Sequence, residues 1–465
     1  MLTIRPEYNR GILEGDVTPE IESLLSSKFM WIDPDDLNNR VYFYADGAMY
    51  LGIVHELSRY LKDNGVKCTV EMPEVTPARD RGWEFYWEFR KRQDVMVDIA
   101  IDKRFCMLQA PPGFGKTVAM VAITARLGLP TVILTNAAEP FRQAYNTFIN
   151  ATNIKPGRVG DKHMTVRDVT VCTVQTVARI FQEDPDGELA TRIKSAKVVM
   201  VDECHHAAAG TFISVISEFY DPNYMLGFSA TPEDREDGLQ DFVNAFLGSV
   251  EFRLTYGQQI DDGTAVPISV WIETIPKRDF GYAGQRGLPQ VVRKRQYQLV
   301  YDAYVINNEF RNRAALVFAD EMLNDGHTVA LIVSRVEHIV ELQRLDKRVV
   351  ALHAKTKNRD DIIHKLRHHE ITLVATTLFD EATDIPSLGA VALLAGGKSK
   401  IKLKQRLRCT RIFDGMTAKG RYTKDRGYVW MPYDNADFLT PHSVATKRLL
   451  KDIVSEHPDN ELYTL

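Results

Sequence analysis

Short apolar runs alternate with helix-like segments along most of the chain, starting near residue 78. The first group of runs comprises Phe105–Gln109, Thr131–Thr135, Thr170–Thr173, Lys197–Val201 and Tyr224–Phe228. After a pause, the second group comprises Thr328–Val333, Val349–His353, Ile371–Thr376 and Ala390–Ala395. Such alternation is typical of buried parallel strands joined by crossover helices. The pattern therefore predicts an α/β protein with two parallel-sheet lobes.

The first 77 residues show a different and less regular pattern. They contain two predicted strands and a helix, at Val41–Tyr44, Lys67–Met72 and Tyr50–Lys62. Pro73 and Pro77 then indicate a linker, because proline interrupts helices and strands alike. We therefore predict a small N-terminal α+β domain that precedes the two lobes.

These patterns divide the chain into four segments. Residues 1–77 form the small N-terminal domain, and residues 78–250 form the first lobe. Residues 251–297 contain several glycines and predict an irregular linker. Residues 298–465 form the second lobe, which ends in a helix.

Composition and charge exclude few classes of protein. Of the 465 residues, 45% are hydrophobic and 26% are charged, as in ordinary globular proteins. No apolar run reaches the roughly 18 residues that span a bilayer, and Met1–Arg10 lacks a signal-peptide pattern, so we expect a cytoplasmic protein without membrane contact. The net charge of -4 argues against a basic coat for nucleic acid but not against a local basic groove. The five cysteines contain no Cys-x-x-Cys pair, which disfavours zinc sites and disulfide frameworks.

The segment Gln109–Thr117 has the sequence and the setting of a phosphate-binding loop. It reads Gln-Ala-Pro-Pro-Gly-Phe-Gly-Lys-Thr, follows a predicted strand and begins a predicted helix. Its glycines let backbone N–H groups surround phosphates, Lys116 reaches the β- and γ-phosphates, and Thr117 binds Mg²⁺. Ala110 departs from the usual glycine, and the alternative is a loop that only turns the chain. The predicted phosphate-binding residues are Pro112, Gly113, Phe114, Gly115, Lys116 and Thr117.

An acidic pair follows the apolar run that ends at Val201. Asp202 and Glu203 are expected at the carboxyl edge of the sheet, where ligands bind in doubly wound folds. We predict that Asp202 holds Mg²⁺ and that Glu203 orients and deprotonates the attacking water. A surface pair without chemistry is the alternative. Of the histidines that follow, His205 is predicted to connect this site to neighbouring loops, and His206 to be structural.

These residues resemble motifs of the superfamily 2 helicases. Motifs I, II and III match Ala110–Thr117, Asp202–His205 and Ser229–Pro232. Further segments that resemble family motifs occur in the expected order: Gln93, Thr135–Gln143, Thr173–Thr176, Val333–His338, Leu352–Lys355, Thr376–Pro386 and Gln405–Arg411. The resemblance implies two tandem RecA-like lobes that bind ATP and Mg²⁺ between them, with nucleic acid crossing both.

The resemblance also implies roles for single residues outside motifs I to III. Gln93 corresponds to the glutamine that reads adenine, and Asp384 corresponds to a nucleotide-binding residue of motif V. Gln405, Arg408 and Arg411 correspond to the catalytic residues of motif VI, whose arginines reach the γ-phosphate.

Two departures from the family pattern concern motifs V and VI. Ala382 stands where a glycine is usual, and the glycine of motif VI is missing. Arg408 and Arg411 keep their spacing, and residues i and i+3 of a helix share a face, so we predict two arginine fingers. The alternative is a basic helix face that meets solvent or a nucleic-acid phosphate, which we expect for Arg406.

Polar residues that follow predicted strands are the candidates for contact with nucleic acid. Hydroxyl and basic side chains suit phosphate contacts, which do not depend on base sequence. A structural role is the alternative for each. The candidates are Thr135, Arg142, Thr173, Gln175, Arg335, His353, Lys355 and Thr376. The basic and aromatic stretch 278–297 is either a strand-separating wedge, as the family implies, or a disordered linker.

Three segments resemble the branch of the family that acts on double-stranded DNA. Ala230–Gly238 is similar to its counterpart in UvsW-type, RecG-type and XPB-type proteins and in restriction translocases, and within it Arg235–Asp237 is similar to the Arg-Glu-Asp element of XPB-type proteins. Phe379–Glu381 indicates the same branch. The compact layout most resembles phage UvsW-type branch-migration helicases. This implies action on duplex, forked, four-way or single-stranded DNA in replication, recombination or repair. The alternatives are a motor subunit of a restriction-like complex, an ATP-switched scaffold and an RNA helicase.

Overall fold

The computed structural model describes residues 1–7, 10–32, 40–72, 75, 81–206, 210–232, 240–282, 289–378, 385–395 and 400–465. These residues form two compact units, Met1–Leu254 and Thr255–Leu465. Each unit contains one large sheet of mainly parallel strands with helices packed against it, which confirms the predicted α/β class with two RecA-like lobes. In the part of the chain that is described, no helix is long and apolar enough to cross a membrane.

The N-terminal subdomain, residues 1–72, combines short strands with two helices. Its strands are β1 (Leu2–Glu7), β2 (Arg10–Glu14), β3 (Met30–Ile32), β4 (Arg40–Tyr42), β5 (Tyr44–Ala45), β6 (Ala48–Tyr50) and β7 (Cys68–Val70), and its helices are α1 (Pro19–Lys28) and α2 (Val54–Asp63). Five strands pair in the order β5-β6-β2-β1-β7, and β3 pairs with β4. Helix α2 buries Val54, Leu57 and Leu61, whose spacing places them on one face.

The first lobe, residues 81–254, follows as a regular alternation of strands and helices. Its strands are β8 (Phe105–Gln109), β9 (Thr131–Thr135), β10 (Gly157–Gly160), β11 (His163–Thr165), β12 (Val169–Thr173), β13 (Val198–Asp202), β14 (Tyr224–Ser229) and β15 (Val250–Arg253). Its helices are α3 (Gln93–Lys103), α4 (Lys116–Leu127), α5 (Ala138–Ala151), α6 (Val174–Glu183), α7 (Glu188–Lys194), α8 (Gly210–Ile216) and α9 (Gln240–Leu247).

The sheet of the first lobe has the order β11-β10-β12-β9-β13-β14-β8-β15. All neighbouring pairs are parallel except β10 with β11. Strands β9, β12, β13 and β14 are buried along their whole length, as central strands covered by helices require. Because β8, β13 and β14 run parallel, their carboxyl ends meet at one edge of the sheet.

The second lobe, residues 255–465, has the same kind of alternation and one additional hairpin. Its strands are β16 (Ile268–Thr274), β17 (Thr328–Ile332), β18 (Val350–Leu352), β19 (Leu373–Thr376), β20 (Leu388–Leu393), β21 (Phe413–Thr417), β22 (Gly420–Lys424), β23 (Gly427–Tyr433) and β24 (Glu461–Thr464). Its helices are α10 (Tyr256–Asp261), α11 (Gln290–Tyr301), α12 (Glu309–Asn324), α13 (Val336–Leu345), α14 (Arg359–Arg367), α15 (Lys400–Arg406) and α16 (Thr440–Val454). The parallel sheet has the order β18-β19-β17-β20-β23-β16-β24, and β21 pairs with β22 as a separate hairpin.

The N-terminal subdomain and the first lobe share one hydrophobic core. Phe43 packs edge-on against Phe242 of α9, with 5.1 Å between ring centroids. Gly52 lies so close to the same helix that a Cβ atom there would be 2.5 Å from the Ala245 carbonyl oxygen. Buried side chains continue from the subdomain to the sheet of the lobe without a break. The predicted separate N-terminal domain is therefore part of a larger unit, since a linker-like local pattern carries no information about packing.

The predicted irregular linker at 251–297 is wrong for most of its length. Strand β15 belongs to the first sheet, α10 follows it, and β16 lies inside the second sheet between β23 and β24. Ile268, Val270 and Ile272 alternate along β16 and are fully buried. Glycines on either side of this strand concealed its pattern, because β16 is only seven residues long.

The basic and aromatic stretch 278–297 consists of a packed loop and a helix where the structure describes it. Phe280 packs edge-on against Tyr304, and Tyr282 contacts Phe438, each with 6.4 Å between ring centroids. Its last described part belongs to α11. The described residues are therefore ordered, while residues 283–288 lie outside the described part and the choice between wedge and linker stays untested there.

Candidate functional site

The loop between β8 and α4 has the backbone that a phosphate-binding loop requires. Gly113 and Gly115 adopt φ angles of +90° and +97°, which side chains strongly disfavour. Gly115 is also crowded, because a Cβ atom there would be 2.3 Å from Gln93 Nε2. Phe114 is buried between them and anchors the loop in the core. The loop therefore presents backbone N–H groups at the N-terminus of α4, which favours anions.

Lys116 and Ala110 tie this loop to its neighbouring strand. Lys116 Nζ donates a hydrogen bond to the Ala110 carbonyl oxygen at 3.0 Å. The Ala110 N–H donates to the Ser229 carbonyl oxygen at the end of β14, at 3.1 Å. Ala110 is fully buried, so the methyl group that replaces the usual glycine hydrogen is accommodated by the core.

Gln93 lies behind the loop rather than on an open surface. Its side chain is 2% exposed. Its Oε1 accepts a hydrogen bond from the Arg90 N–H at 2.8 Å, and its Nε2 donates to the Phe114 carbonyl oxygen at 2.7 Å. Arg90 adds a bond from Nη1 to the Gly113 carbonyl oxygen at 3.2 Å. The two residues brace the loop; the sequence offered no signal for Arg90 beyond its nearness to Gln93.

The acidic pair stands at the end of β13, the strand between β9 and β14. Asp202 is buried, and its Oδ1 accepts a hydrogen bond from the Glu203 N–H at 3.0 Å. Burial and the nearby Glu203 carboxylate raise the pKa of Asp202 to about 7, while Lys116 lowers it. Glu203 has a φ of +50°, a left-handed conformation that is uncommon outside glycine and concentrates at functional sites.

His205 connects the acidic pair to β14. Its Nδ1 lies 2.9 Å from Ser229 Oγ and 3.3 Å from Glu203 Oε2. Ser229 Oγ also accepts a hydrogen bond from the Thr231 N–H at 3.0 Å. The ends of β13 and β14 are thus joined by side chains as well as by the sheet. Ser229 therefore contacts both the phosphate loop, through Ala110, and His205, which follows the acidic pair.

The donor atoms at this edge fit Mg²⁺, which prefers oxygen ligands. Burial and the neighbouring Glu203 carboxylate raise the pKa of Asp202. A bound cation would favour the ionised form, because opposite charge lowers a carboxyl pKa. Thr117 follows Lys116 in the first turn of α4 and is half-buried. Its hydroxyl supplies a second oxygen of the type that Mg²⁺ accepts.

Two of the nucleic-acid candidates in the first lobe are inaccessible. Thr135 is fully buried, and its hydroxyl donates to the Cys172 carbonyl oxygen at 3.1 Å. Thr173 is 8% exposed, and its hydroxyl is 2.8 Å from that of Thr176. Both hydroxyls bond within the protein in this structure, and their predicted phosphate contacts stay predictions.

The other two candidates in the first lobe are exposed. Gln175 donates from Nε2 to the Asn136 carbonyl oxygen at 3.1 Å. Arg142 lies 3.3 Å from the carboxylate of Glu139 and 3.7 Å from that of Asp161. Since β9 and β12 are paired neighbours, both residues lie near the same stretch of the carboxyl edge.

The candidates in the second lobe divide in the same way. Arg335 forms an ion pair with Asp302 and lies 4.6 Å from the centre of the Tyr301 ring. Lys355 is exposed, and its N–H donates to His353 Nδ1 at 3.2 Å. Thr376 is fully buried, and its hydroxyl oxygen accepts a hydrogen bond from the Leu378 N–H at 3.0 Å. Its predicted phosphate contact stays a prediction.

The predicted helix face of motif VI is wrong as well. Helix α15 ends at Arg406, Arg408 belongs to a short 3₁₀ turn, and Arg411 forms a β-bridge with Ala265. Arg408 and Arg411 are therefore not neighbours on one helix. Arg406, which we expected to meet solvent or a nucleic-acid phosphate, is 7% exposed and donates from Nη1 to the Ala395 carbonyl oxygen at 3.1 Å. Gln405 is half-buried at the end of the helix.

Several predicted residues lie outside the described part of the chain. They are Asp384 and Ala382 of motif V, the segment Phe379–Glu381 and the segment Arg235–Gly238.

Comparisons with known proteins agree with the motifs. A family model described as "Type III restriction enzyme, res subunit" matches residues 86–234. "Putative helicase 22" of Sulfolobus islandicus filamentous virus is 27% identical over 277 residues, which cover 57% of this chain and 47% of that protein. "DNA 3'-5' translocase XPB2" of Sulfurisphaera tokodaii is 22% identical over 353 residues, which cover 69% of this chain and 77% of that protein.

One solved structure supports the fold over most of the chain. It is a fragment of "a putative HsdR subunit of a type I restriction enzyme" from Vibrio vulnificus YJ016, with a TM-score of 0.57 and 17% identity, and it covers 88% of this chain and 73% of that chain. The chain spans about half the length of the viral relative. The ordered motifs, the two parallel-sheet lobes and the matched family model all show the same likeness: the chain is similar to helicases and translocases of superfamily 2.

Proposed function

We propose that this protein is an ATP-dependent DNA helicase or translocase. One observation carries the proposal: a continuous set of contacts joins Lys116 to Glu203 through Ala110, Ser229 and His205. Lys116 is the residue suited to bind phosphate, and Glu203 is suited to activate water. Joining them through the end of β14 suits an enzyme in which hydrolysis is coupled to movement of neighbouring loops.

Each residue has a role that follows from its position. Lys116 and the loop N–H groups would hold the phosphates, and Thr117 and Asp202 would hold Mg²⁺. When bound, Mg²⁺ neutralises charge on the transferred phosphoryl group. Glu203 would accept a proton from the attacking water. His205 Nδ1 lies 3.3 Å from that carboxylate and would contribute to its surroundings.

The roles of motif VI and of the adenine site stay predictions. They concern Gln93, Asp384, Gln405, Arg408 and Arg411. We expect Arg411→Ala to lower the rate of ATP turnover while DNA binding is retained. Steady-state hydrolysis and fluorescence anisotropy on the same preparation test this, and unchanged turnover would return Arg411 to a structural role.

DNA is the proposed track, and branched DNA is the finer form of that proposal. The Sulfurisphaera tokodaii relative is named a DNA translocase, and the sequence resembles the branch that acts on double-stranded DNA. The residues proposed to contact the strand are the exposed Arg142, Gln175 and Lys355 and the half-buried Arg335 and His353. A second candidate is a motor subunit of a restriction-like complex, which the match to the res subunit family favours.

One comparison of substrates separates these functions. ATP hydrolysis is measured with single-stranded DNA, duplex, forks, four-way junctions and RNA, together with strand displacement. Strongest stimulation by forks and junctions with displacement supports branch migration. Stimulation by plain duplex without displacement supports the restriction-like motor, and stimulation by RNA alone contradicts both.

A further inference from the structure

The first lobe has a pocket at the amino edge of its sheet, opposite to the edge that carries the phosphate loop and the acidic pair. Its volume is about 380 Å³. Val169 begins β12 at this edge, and Arg167 and Asp168 come just before it. Because β12 has five residues and a strand rises about 3.3 Å per residue, the pocket lies roughly 15 Å from the carboxyl edge. This amino-edge pocket is lined by Trp83, Asn153, Ile154, Lys155, Arg167, Asp168, Val169 and Arg192.

The floor of the amino-edge pocket is apolar. Ile154 and Val169 line it and are buried. The half-buried Trp83 packs against the same hydrophobic core as these two residues. The Arg81 guanidinium lies 5.0 Å from the centre of the Trp83 ring and so steadies it. The floor therefore offers an apolar surface that a single side chain of a ligand can cover.

The wall that carries Trp83 is held against the segment after α5. Asn153 Oδ1 accepts a hydrogen bond from the Glu84 N–H at 3.0 Å, and Asn153 Nδ2 donates to the Gly82 carbonyl oxygen at 2.5 Å. These bonds fix the backbone on both sides of Trp83. The pocket is therefore formed before a ligand arrives, which limits the entropy lost on binding.

The rim of the amino-edge pocket is cationic. Lys155, Arg167 and Arg192 line it and are exposed. Within the described part of the chain, none of the three forms an ion pair. The carboxylate of Asp168 also lines the pocket, but it pairs with Arg81. Three positive charges are thus left unbalanced at the rim, although the net charge of the whole chain is -4.

Floor and rim together indicate the class of ligand. The rim attracts carboxylates or phosphates, whereas the floor favours an apolar side chain. An acidic peptide that contains one apolar residue offers both. A nucleic-acid strand offers phosphates, but its base edges carry polar groups that the apolar floor would leave without hydrogen bonds. Tryptophan and arginine, both present here, are also the residues that most often supply binding energy between proteins.

We propose that the amino-edge pocket docks an acidic peptide segment of a partner protein. One apolar side chain of that segment covers Ile154 and Val169, and its carboxylates pair with the cations of the rim. The interaction goes beyond the proposed function and does not depend on the kind of nucleic acid that the motor follows. Because the pocket lies at the edge opposite to the phosphate loop, the partner binds without blocking the nucleotide. Such a contact would bring the motor to the place where the partner is already bound.

The test measures binding of a synthetic peptide to the full chain by fluorescence anisotropy. The probe is a fluorescein-labelled peptide with a central phenylalanine between aspartates. One matched probe replaces the phenylalanine by serine, and another replaces the aspartates by asparagines. The variants are Lys155→Glu and Arg192→Glu, and the matched control is Arg179→Glu, at an exposed position of α6 outside the pocket. Thermal unfolding of each variant shows whether the fold is retained.

We expect each pocket variant to bind the aspartate peptide about tenfold more weakly than the wild type, which corresponds to one lost charge-assisted contact. Arg179→Glu should bind it with unchanged affinity. The serine probe should bind the wild type at least about tenfold more weakly, because the floor stays uncovered. The asparagine probe should bind weakly and with little dependence on salt. Equal losses for the pocket variants and for Arg179→Glu would overturn the proposal, as would failure of the wild type to bind the aspartate peptide.

A single-stranded oligonucleotide tests the other class of ligand on the same variants. We expect it to leave the bound peptide in place, and we expect Arg192→Glu to keep the DNA affinity of the wild type. If the oligonucleotide displaces the peptide and Arg192→Glu weakens DNA binding by the same factor, the pocket is a nucleic-acid surface and the peptide assignment is wrong. If the wild type binds the peptide but DNA does not stimulate its ATP hydrolysis, the proposed function fails while the docking site stands.

Discussion

The two lobes both place polar groups at the carboxyl edge of a parallel sheet, but they assemble them differently. In the first lobe, each of these residues lies close to the end of one strand. Lys116 begins the helix that follows β8, and Glu203 and His205 come directly after β13. In the second lobe, Arg311 projects from α12 and meets Asp434, which is 123 residues further along the chain. The first arrangement follows from local backbone geometry, whereas the second exists only once the lobe has packed. Motifs therefore reveal the first kind of site, and structure reveals the second.

Removing the proposed base should produce the largest effect. We expect Glu203→Gln to slow ATP hydrolysis by roughly 100- to 10,000-fold, because the amide cannot accept a proton from water. ATP binding should be retained, since Lys116 and the loop are unchanged. Single-turnover hydrolysis and binding of a fluorescent ATP analogue measure the two effects. Glu188→Gln, at an exposed position on α7, is the control, and normal hydrolysis by Glu203→Gln would refute this assignment.

Breaking the buried pair of Arg311 and Asp434 should have an effect of nearly the same size, but on the free energy of unfolding rather than on hydrolysis. Arg311→Ala leaves the Asp434 carboxylate buried without its partner, and we expect a loss of about 3–5 kcal/mol in the free energy of unfolding. Denaturation in urea measures it. Arg313→Ala is the matched control on the same helix, because Arg313 pairs with Glu309 while 63% exposed. That surface pair should be worth less than about 1 kcal/mol. Equal losses of unfolding free energy for both variants would contradict the distinction between the buried pair and the surface pair.

The second lobe should also be the more sensitive to acid. Burial lowers the pKa of His338 to about 3, and its Nε2 lies 2.8 Å from Asn312 Oδ1. The unfolded chain takes up a proton near pH 6.5, whereas the folded protein does not. Stability from this residue is thus complete above pH 6.5 and falls towards pH 3. We expect a loss of about 2 kcal/mol between pH 7 and pH 5. Unfolding in urea at both pH values should show a smaller difference for His338→Gln; an unchanged difference would exclude this histidine as the cause.

The smallest effect should come from the loop of the first lobe. Gly115→Ala places a methyl group at a φ of +97° and 2.3 Å from Gln93 Nε2. We expect a cost of about 1–2 kcal/mol and roughly tenfold weaker ATP binding, because the strain distorts the phosphate loop. Gly65→Ala is the control, since Gly65 has a φ of +78° but no atom within 4 Å of the added Cβ. The control should bind ATP with unchanged affinity, as measured by calorimetry. An equal loss of affinity in both variants would argue against crowding at Gly115 as the reason.

The sequence predicted what depends on a few adjacent residues. The glycines around Phe114, the buried run before Asp202 and the alternation of the first lobe all have local causes, and the structure shows the corresponding strands. It could not predict that Arg408 and Arg411 leave the helix, because the end of α15 is set by packing rather than by spacing.

Burial was the other property that the sequence concealed. Thr135 and Thr376 are the last residues of β9 and β19, near where phosphate-binding hydroxyls are expected, yet each side chain is fully buried. A buried threonine and an exposed threonine at the end of a strand look the same in the sequence. Whether the hydroxyl reaches solvent depends on neighbouring strands such as β12, which is a property of the tertiary structure.

The shared core of the N-terminal subdomain has a practical consequence for handling the protein. The face of α9 around Phe242 and Ala245 is covered by Phe43 and Gly52. Cleavage or truncation before residue 81 would expose this apolar surface and promote aggregation. Limited proteolysis near the subdomain should thus yield insoluble material rather than a free, active motor fragment.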